Sequence, residues 1–126
     1  MNPRPGEVWL ADLGLAAKTR PVVIVSRYDP DPPRDLVLYV PLTTQDRQSP
    51  YEVPVPKLGF LDRDSVANVQ GLGSLPRVRL ERRLGRPPQH ASQGVGFRDG
   101  LRRNLRAPHA NPLRAAAPER RTPIIM

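Results

Sequence analysis

The chain has no cysteine. A disulfide framework and a thiolate metal site are therefore excluded, and the two histidines, His90 and His109, stand late in the chain away from any cluster of carboxylates. No metal or cofactor is expected. Long apolar runs are also missing: nothing approaches the roughly 20 residues of a membrane span, and the opening MNPRPGEV lacks the apolar core of a signal peptide. These absences lead to the expectation of a cytoplasmic protein with no membrane contact. There is no internal repeat, no glycine-rich phosphate loop opening a helix, and no GxSxG or Ser/His/Asp pattern. At 126 residues the chain has room for one small core.

What the chain does have is positive charge. A net +8 and a pI near 11.2 favour a polyanionic partner such as nucleic acid. The excess is uneven. Residues 1–86 hold 13 basic and 10 acidic residues, whereas residues 87–126 hold seven arginines against two acids, with six of the 17 prolines and no lysine. Such a tail buries too little apolar surface to offset its ordering entropy, so 87–126 is expected to be a mostly disordered Pro/Arg-rich tail following a folded domain of residues 1–86. The exception is FRDGLRRNLR, where Phe97, Leu101 and Leu105 recur at helical spacing; Gly100 weakens it to a short, marginal helix.

The folded part reads as strands. GEVWLADLG (6–14) places Val8 and Leu10 on one face and Trp9 and Ala11 on the other. LAAKT (15–19) is a connector into TRPVVIVS, whose unbroken run Val22–Val25 predicts a strand covered on both faces. RYDPDPPRD (27–35) stops any ladder or helix. DLVLYVPLTTQ (35–45) is a third strand, YEVPVP (51–56) an edge strand because of its prolines, and DSVANVQ (64–70) and SLPRVRLER (74–82) are two further short strands or a strand and a turn. Several short strands punctuated by Gly and Pro indicate a small barrel or sandwich. Within this pattern Arg20 stands out, because Pro21 confines it to extended geometry at the mouth of a rigid strand. It is either an edge arginine paired with a surface carboxylate or a cation presented to a ligand.

Taken in order, GEVWLADLG, TRPVVIVS, a strand closing in PLTTQ, and DSVANVQGLGSLPRVRLERRLG resemble the MazF/PemK family of toxin endoribonucleases of bacterial toxin–antitoxin pairs over about residues 5–86. The resemblance implies a mainly β fold with minor α, a small SH3-like barrel of the MazF/PemK/CcdB type with a C-terminal helix. It further implies a homodimer that cleaves single-stranded RNA without metal, neutralised by a cognate antitoxin with an acidic, flexible segment. Arg20 matches the family's active-site arginine and Thr43 its active-site threonine, with Lys18, Thr44, Gln45, Asn68 and Gln70 as the expected RNA-binding residues. The residue types suit the chemistry. When the ribose 2′-OH attacks the adjacent phosphate to leave a 2′,3′-cyclic phosphate and a 5′-OH, charge grows on the phosphate oxygens. A guanidinium and a hydroxyl can bind those oxygens.

Two departures from the family pattern stand out. An arginine and an acid that some relatives carry on the SVANVQ strand fall on Ala67 and Val69, so the general base is unassigned, with Glu7 and Asp64 as candidate carboxylates. Pro87-Pro88 then begins the Pro/Arg-rich tail where the family has a capping helix, which predicts that this helix is missing. The alternative function is a non-catalytic relic or binding module of the same fold, acting on RNA or on a protein target.

Overall fold

A computed structural model describes residues 2–14, 19–56, 58–61, 64–88 and 97–106. Its seven strands are β1 (Val8–Asp12), β2 (Thr19–Ile24), β3 (Leu36–Thr43), β4 (Glu52–Pro54), β5 (Val66–Asn68), β6 (Gly73–Pro76) and β7 (Leu80–Gly85), followed by the helix α1 (Phe97–Arg106). All pairings are antiparallel, in the order β4-β5-β3-β2-β1-β7, with β6 added to the first half of β3. Among the described residues the architecture is mainly β with minor α, as expected. SLPRVRLER is not one strand: a 3₁₀ turn at Arg77–Arg79 divides it, so that β6 joins β3 while β7 joins β1.

The prolines fall where the ladders permit them. Pro21 pairs with Leu10 of β1, and the ladder to β3 begins only at Val22. Pro41 pairs with Val22, at the point where the other edge of β3 passes from β6, last met at Tyr39, to β5, first met at Leu42. Each proline lacks an amide proton at a position with a neighbour on one side only, so no central hydrogen bond is lost. The YEVPVP edge strand is likewise observed at the edge, as β4.

Alternation along the strands divides the core in two. Val8, Val23, Val25, Val40, Leu42, Val53, Ala67 and Val69 cover one face of the sheet, whereas Trp9, Ala11, Val22, Ile24, Val37, Leu75 and Leu80 pack on the other. This is why the run Val22–Val25 is unbroken: every member is fully buried, two on each face. The first face is closed by α1, whose Phe97 and Leu101 are buried in the same cluster and whose Leu105 packs against it. The expected loss of the capping helix is therefore corrected. Its three apolar residues at i, i+4 and i+8 form one stripe, and docking onto the sheet supplies the stability that Gly100 and length alone withhold. The remainder of the expected disordered tail, residues 89–96 and 107–126, lies outside the described residues.

Candidate active site

The cleft of interest lies on the sheet face opposite α1. Parity along each strand puts it there. Arg20 shares the face of Val22 and Ile24, and Thr43 shares that of Val37, whereas Asn68 alternates with core residues Ala67 and Val69, and Glu52 precedes core residue Val53. The register then sets these four residues side by side. Val22 pairs with Pro41, Val23 with Val40 and Ile24 with Tyr39, and the same register carried two residues further sets Arg20 opposite Thr43. On the next strands Thr43 pairs with Val66, and Asn68 with Glu52. Four adjacent strands, β2, β3, β5 and β4, thus contribute one polar residue each to a cleft of about 400 Å³.

Within that cleft Arg20 is exposed and, among the described residues, its guanidinium has neither an ion pair nor a hydrogen bond. Among the described residues no surface carboxylate pairs with it as with an ordinary edge arginine. Thr43 Oγ1 accepts the amide of Gln45 at 3.1 Å, which leaves the hydroxyl proton to be donated elsewhere. Asn68 Oδ1 accepts the Gln70 amide at 3.2 Å, so its amide group remains as a donor. Gln45 and Gln70 also line the cleft. Of the other expected residues, Thr44 is exposed but does not line it, and Lys18 lies outside the described residues.

The candidate carboxylates are elsewhere. Glu7 is buried: it accepts the Arg4 amide at 2.7 Å, the Trp9 indole at 3.4 Å and Arg83 Nε at 2.6 Å. Burial pushes its pKa up, but these hydrogen bonds and the Arg83 charge outweigh it and hold the carboxyl below the usual range. Asp64 is exposed and does not line the cleft. Nor does the cleft receive positions 67 and 69, which point into the core; the segment presents Asn68 and Gln70 instead. Residues with functional roles at 67 and 69 would face the wrong way.

Sequence reasoning missed Arg47, Ser49 and Glu52, which complete the lining together with Pro41 and Leu42. Glu52 is the one acidic group lining the cleft among the described residues. Its two oxygens accept the Arg47 and Ser49 amides at 2.9 and 3.0 Å, and those bonds hold its carboxyl below the usual range. A carboxylate so engaged is a weak proton acceptor. Alternation in YEVPV was a signal for Glu52, since it sets the glutamate on the face away from Val53 and Val55. Among the described residues no group of three His, Cys, Asp or Glu side chains could hold a metal, and no helix is long and apolar enough to cross a membrane.

Known proteins share this arrangement of strands. The chain is similar to an endoribonuclease solved in complex with its cognate antitoxin from a mycobacterial species, at 25% identity and TM-score 0.65 over 82% of this chain and 90% of that one. It is also similar to the Mycobacterium tuberculosis toxin MazF-mt6, at 27% identity and TM-score 0.59 over 75% and 87% of the two chains. MazF from Deinococcus radiodurans shares the fold, with 23% identity, TM-score 0.64 and coverage of 83% and 94%. The family profile described as PemK-like, MazF-like toxin of type II toxin–antitoxin system matches residues 4–96. With the family profile matched over most of its length, the chain belongs to the PemK-like, MazF-like toxin family of type II toxin–antitoxin systems.

Proposed function

We propose that this toxin is a metal-independent endoribonuclease that cleaves single-stranded RNA by attack of a ribose 2′-OH on the adjacent phosphate, leaving a 2′,3′-cyclic phosphate and a 5′-OH. The observation that carries this reading is Arg20, whose guanidinium is without a partner among the described residues, set by register against Thr43 in the lining of the cleft. In this mechanism the Arg20 guanidinium donates to the phosphate oxygens, and the Thr43 hydroxyl, oriented by the Gln45 amide, adds a further hydrogen bond. Asn68, Gln45 and Gln70 bind the phosphate or base edges beside it. A guanidinium cannot accept the 2′-OH proton and Glu52 is engaged by its own loop, so that proton passes to water. Lys18 and Thr44 are further RNA-binding residues in the same proposal.

Family membership supports a cognate antitoxin as partner, and an acidic, flexible antitoxin segment is suited to a cleft that carries Arg20 and Arg47. We place the toxin in the cytoplasm, as a homodimer. The test is cleavage of a long single-stranded RNA in EDTA by the native chain, Arg20→Ala and Thr43→Val, with product ends analysed. The native chain should yield cyclic-phosphate ends, and removal of either donor should lower the rate by about 10²–10³-fold. Full activity in Arg20→Ala would refute the assignment. A folded native chain that binds RNA without cutting it would instead be a binding module of the same fold.

A further inference from the structure

We propose that Arg47 is a second phosphate-binding residue of the cleft, held at its rim by Glu52, whose carboxylate folds the loop between β3 and β4 around itself. This rests on the single-stranded RNA reading above and extends it to a residue pair with no assigned role.

The loop TQDRQSPY has almost no apolar side chain with which to anchor itself, so its shape must come from hydrogen bonds. Glu52 supplies the central ones. Its Oε2 accepts the Arg47 amide at 2.9 Å and its Oε1 the Ser49 amide at 3.0 Å, while its own amide donates to the Ser49 carbonyl at 3.1 Å. Asp46 accepts the Gln48 amide at 2.8 Å, and Gln48 takes a left-handed φ of 54° at the apex. From the far side, the Asn104 side chain of α1 donates to the Pro50 carbonyl. The loop is thus tied on both sides, and it presents the Arg47 side chain to the same cleft as Arg20.

Neither arginine forms a salt bridge among the described residues. Glu52, close enough to interact with Arg47 electrostatically, directs its oxygens at backbone amides instead. Two guanidinia facing one cleft repel each other, and an occupant bearing successive negative charges relieves that repulsion. A flexible single strand of RNA, with a phosphate on every nucleotide, is such an occupant. Arg20 would then hold the reacting phosphate and Arg47 a neighbouring one.

Glu52 makes the test sharp, because charge and positioning predict opposite signs. Removing a negative charge from a phosphate-binding cleft strengthens binding, whereas releasing the loop that carries Arg47 weakens it. The probe is a short fluorescein-labelled single-stranded RNA with every 2′ oxygen methylated, so that it cannot be cleaved, and the readout is anisotropy over a range of salt. Arg47→Ala should weaken binding about three- to tenfold and reduce the salt slope by about 0.7, the share of one single-strand phosphate contact. Glu52→Gln should also weaken binding, but add nothing to Arg47→Ala in the double variant. Glu52→Asp, which keeps the charge and shortens the reach, should weaken it as well, so the positioning role is still decided if Glu52→Gln fails to fold. Tighter or unchanged binding in the Glu52 variants, or an unchanged slope in Arg47→Ala, overturns the proposal while the native chain still binds RNA. If the native chain shows no salt-dependent binding of the probe, the RNA reading falls and this proposal with it.

Discussion

Leu101→Ala tests whether the helix belongs to the core. Leu101 is fully buried, on the same cluster as Val8, Val23 and Val40 from the centre of the sheet. Truncation removes three carbons, worth about 0.8 kcal/mol each in transfer free energy, and leaves a cavity that adds to the loss. The sum falls in the range of about 2–5 kcal/mol measured for buried leucines. Against a total stability of about 5–15 kcal/mol, that is a large fraction. Urea unfolding at fixed protein concentration is the assay, since association would otherwise shift the midpoint. For a loss of about 3 kcal/mol the midpoint should fall by roughly 1–3 M with the slope unchanged. Val78→Ala is the control: Val78 is 82% exposed, so its change should stay within about 0.5 kcal/mol. If Leu101→Ala unfolds at the same midpoint as Val78→Ala, α1 is not part of the cooperative core.

Stability toward acid should depend on Glu7. Because its folded pKa is depressed, the folded state holds the anion better than the unfolded chain does; the resulting stabilisation is complete above the usual glutamate value of about 4.3 and is lost as pH falls through the lower folded value. Thermal unfolding between pH 3 and 7 should therefore fall more steeply for the native chain than for Glu7→Gln, and parallel curves would remove Glu7 from the acid limb. Val69→Asp places an unpaired charge in the core and should cost about 3 kcal/mol or more, whereas Gln70→Asp should leave the fold within about 1 kcal/mol and weaken RNA binding; equal melting temperatures for the two would refute the assignment of faces. A Cβ on Gly71 would stand 2.6 Å from Cγ of Pro41, whose ring cannot rotate away. Gly71→Ala should destabilise the chain by about 1–3 kcal/mol in denaturant unfolding, and because Pro41 lines the cleft, cleavage should fall even where the protein is fully folded.

Much of this protein is determined by the sequence alone, wherever the cause is local. The period of two in GEVWLADLG assigned Trp9 and Ala11 to one face and Val8 to the other, and the unbroken valine run called for burial on both faces; each is a property of a single strand. Pro21 and the prolines of YEVPVP were placed by the donor they lack. Arg20 was singled out by the proline and strand that follow it and Thr43 by the family resemblance alone, yet nothing local showed that they are neighbours, because that depends on how β2 and β3 pair. Tertiary structure decided the rest. It decided that SLPRVRLER splits between opposite parts of the sheet, that Ala67 and Val69 face inward while Asn68 and Gln70 face the cleft, and that Glu52 comes beside Asn68. It also decided the helix, whose propensity is marginal until Phe97 and Leu101 find an apolar surface brought together from five strands. Register and docking join residues tens of positions apart, and a pattern read within one segment contains no record of the surface that segment will meet.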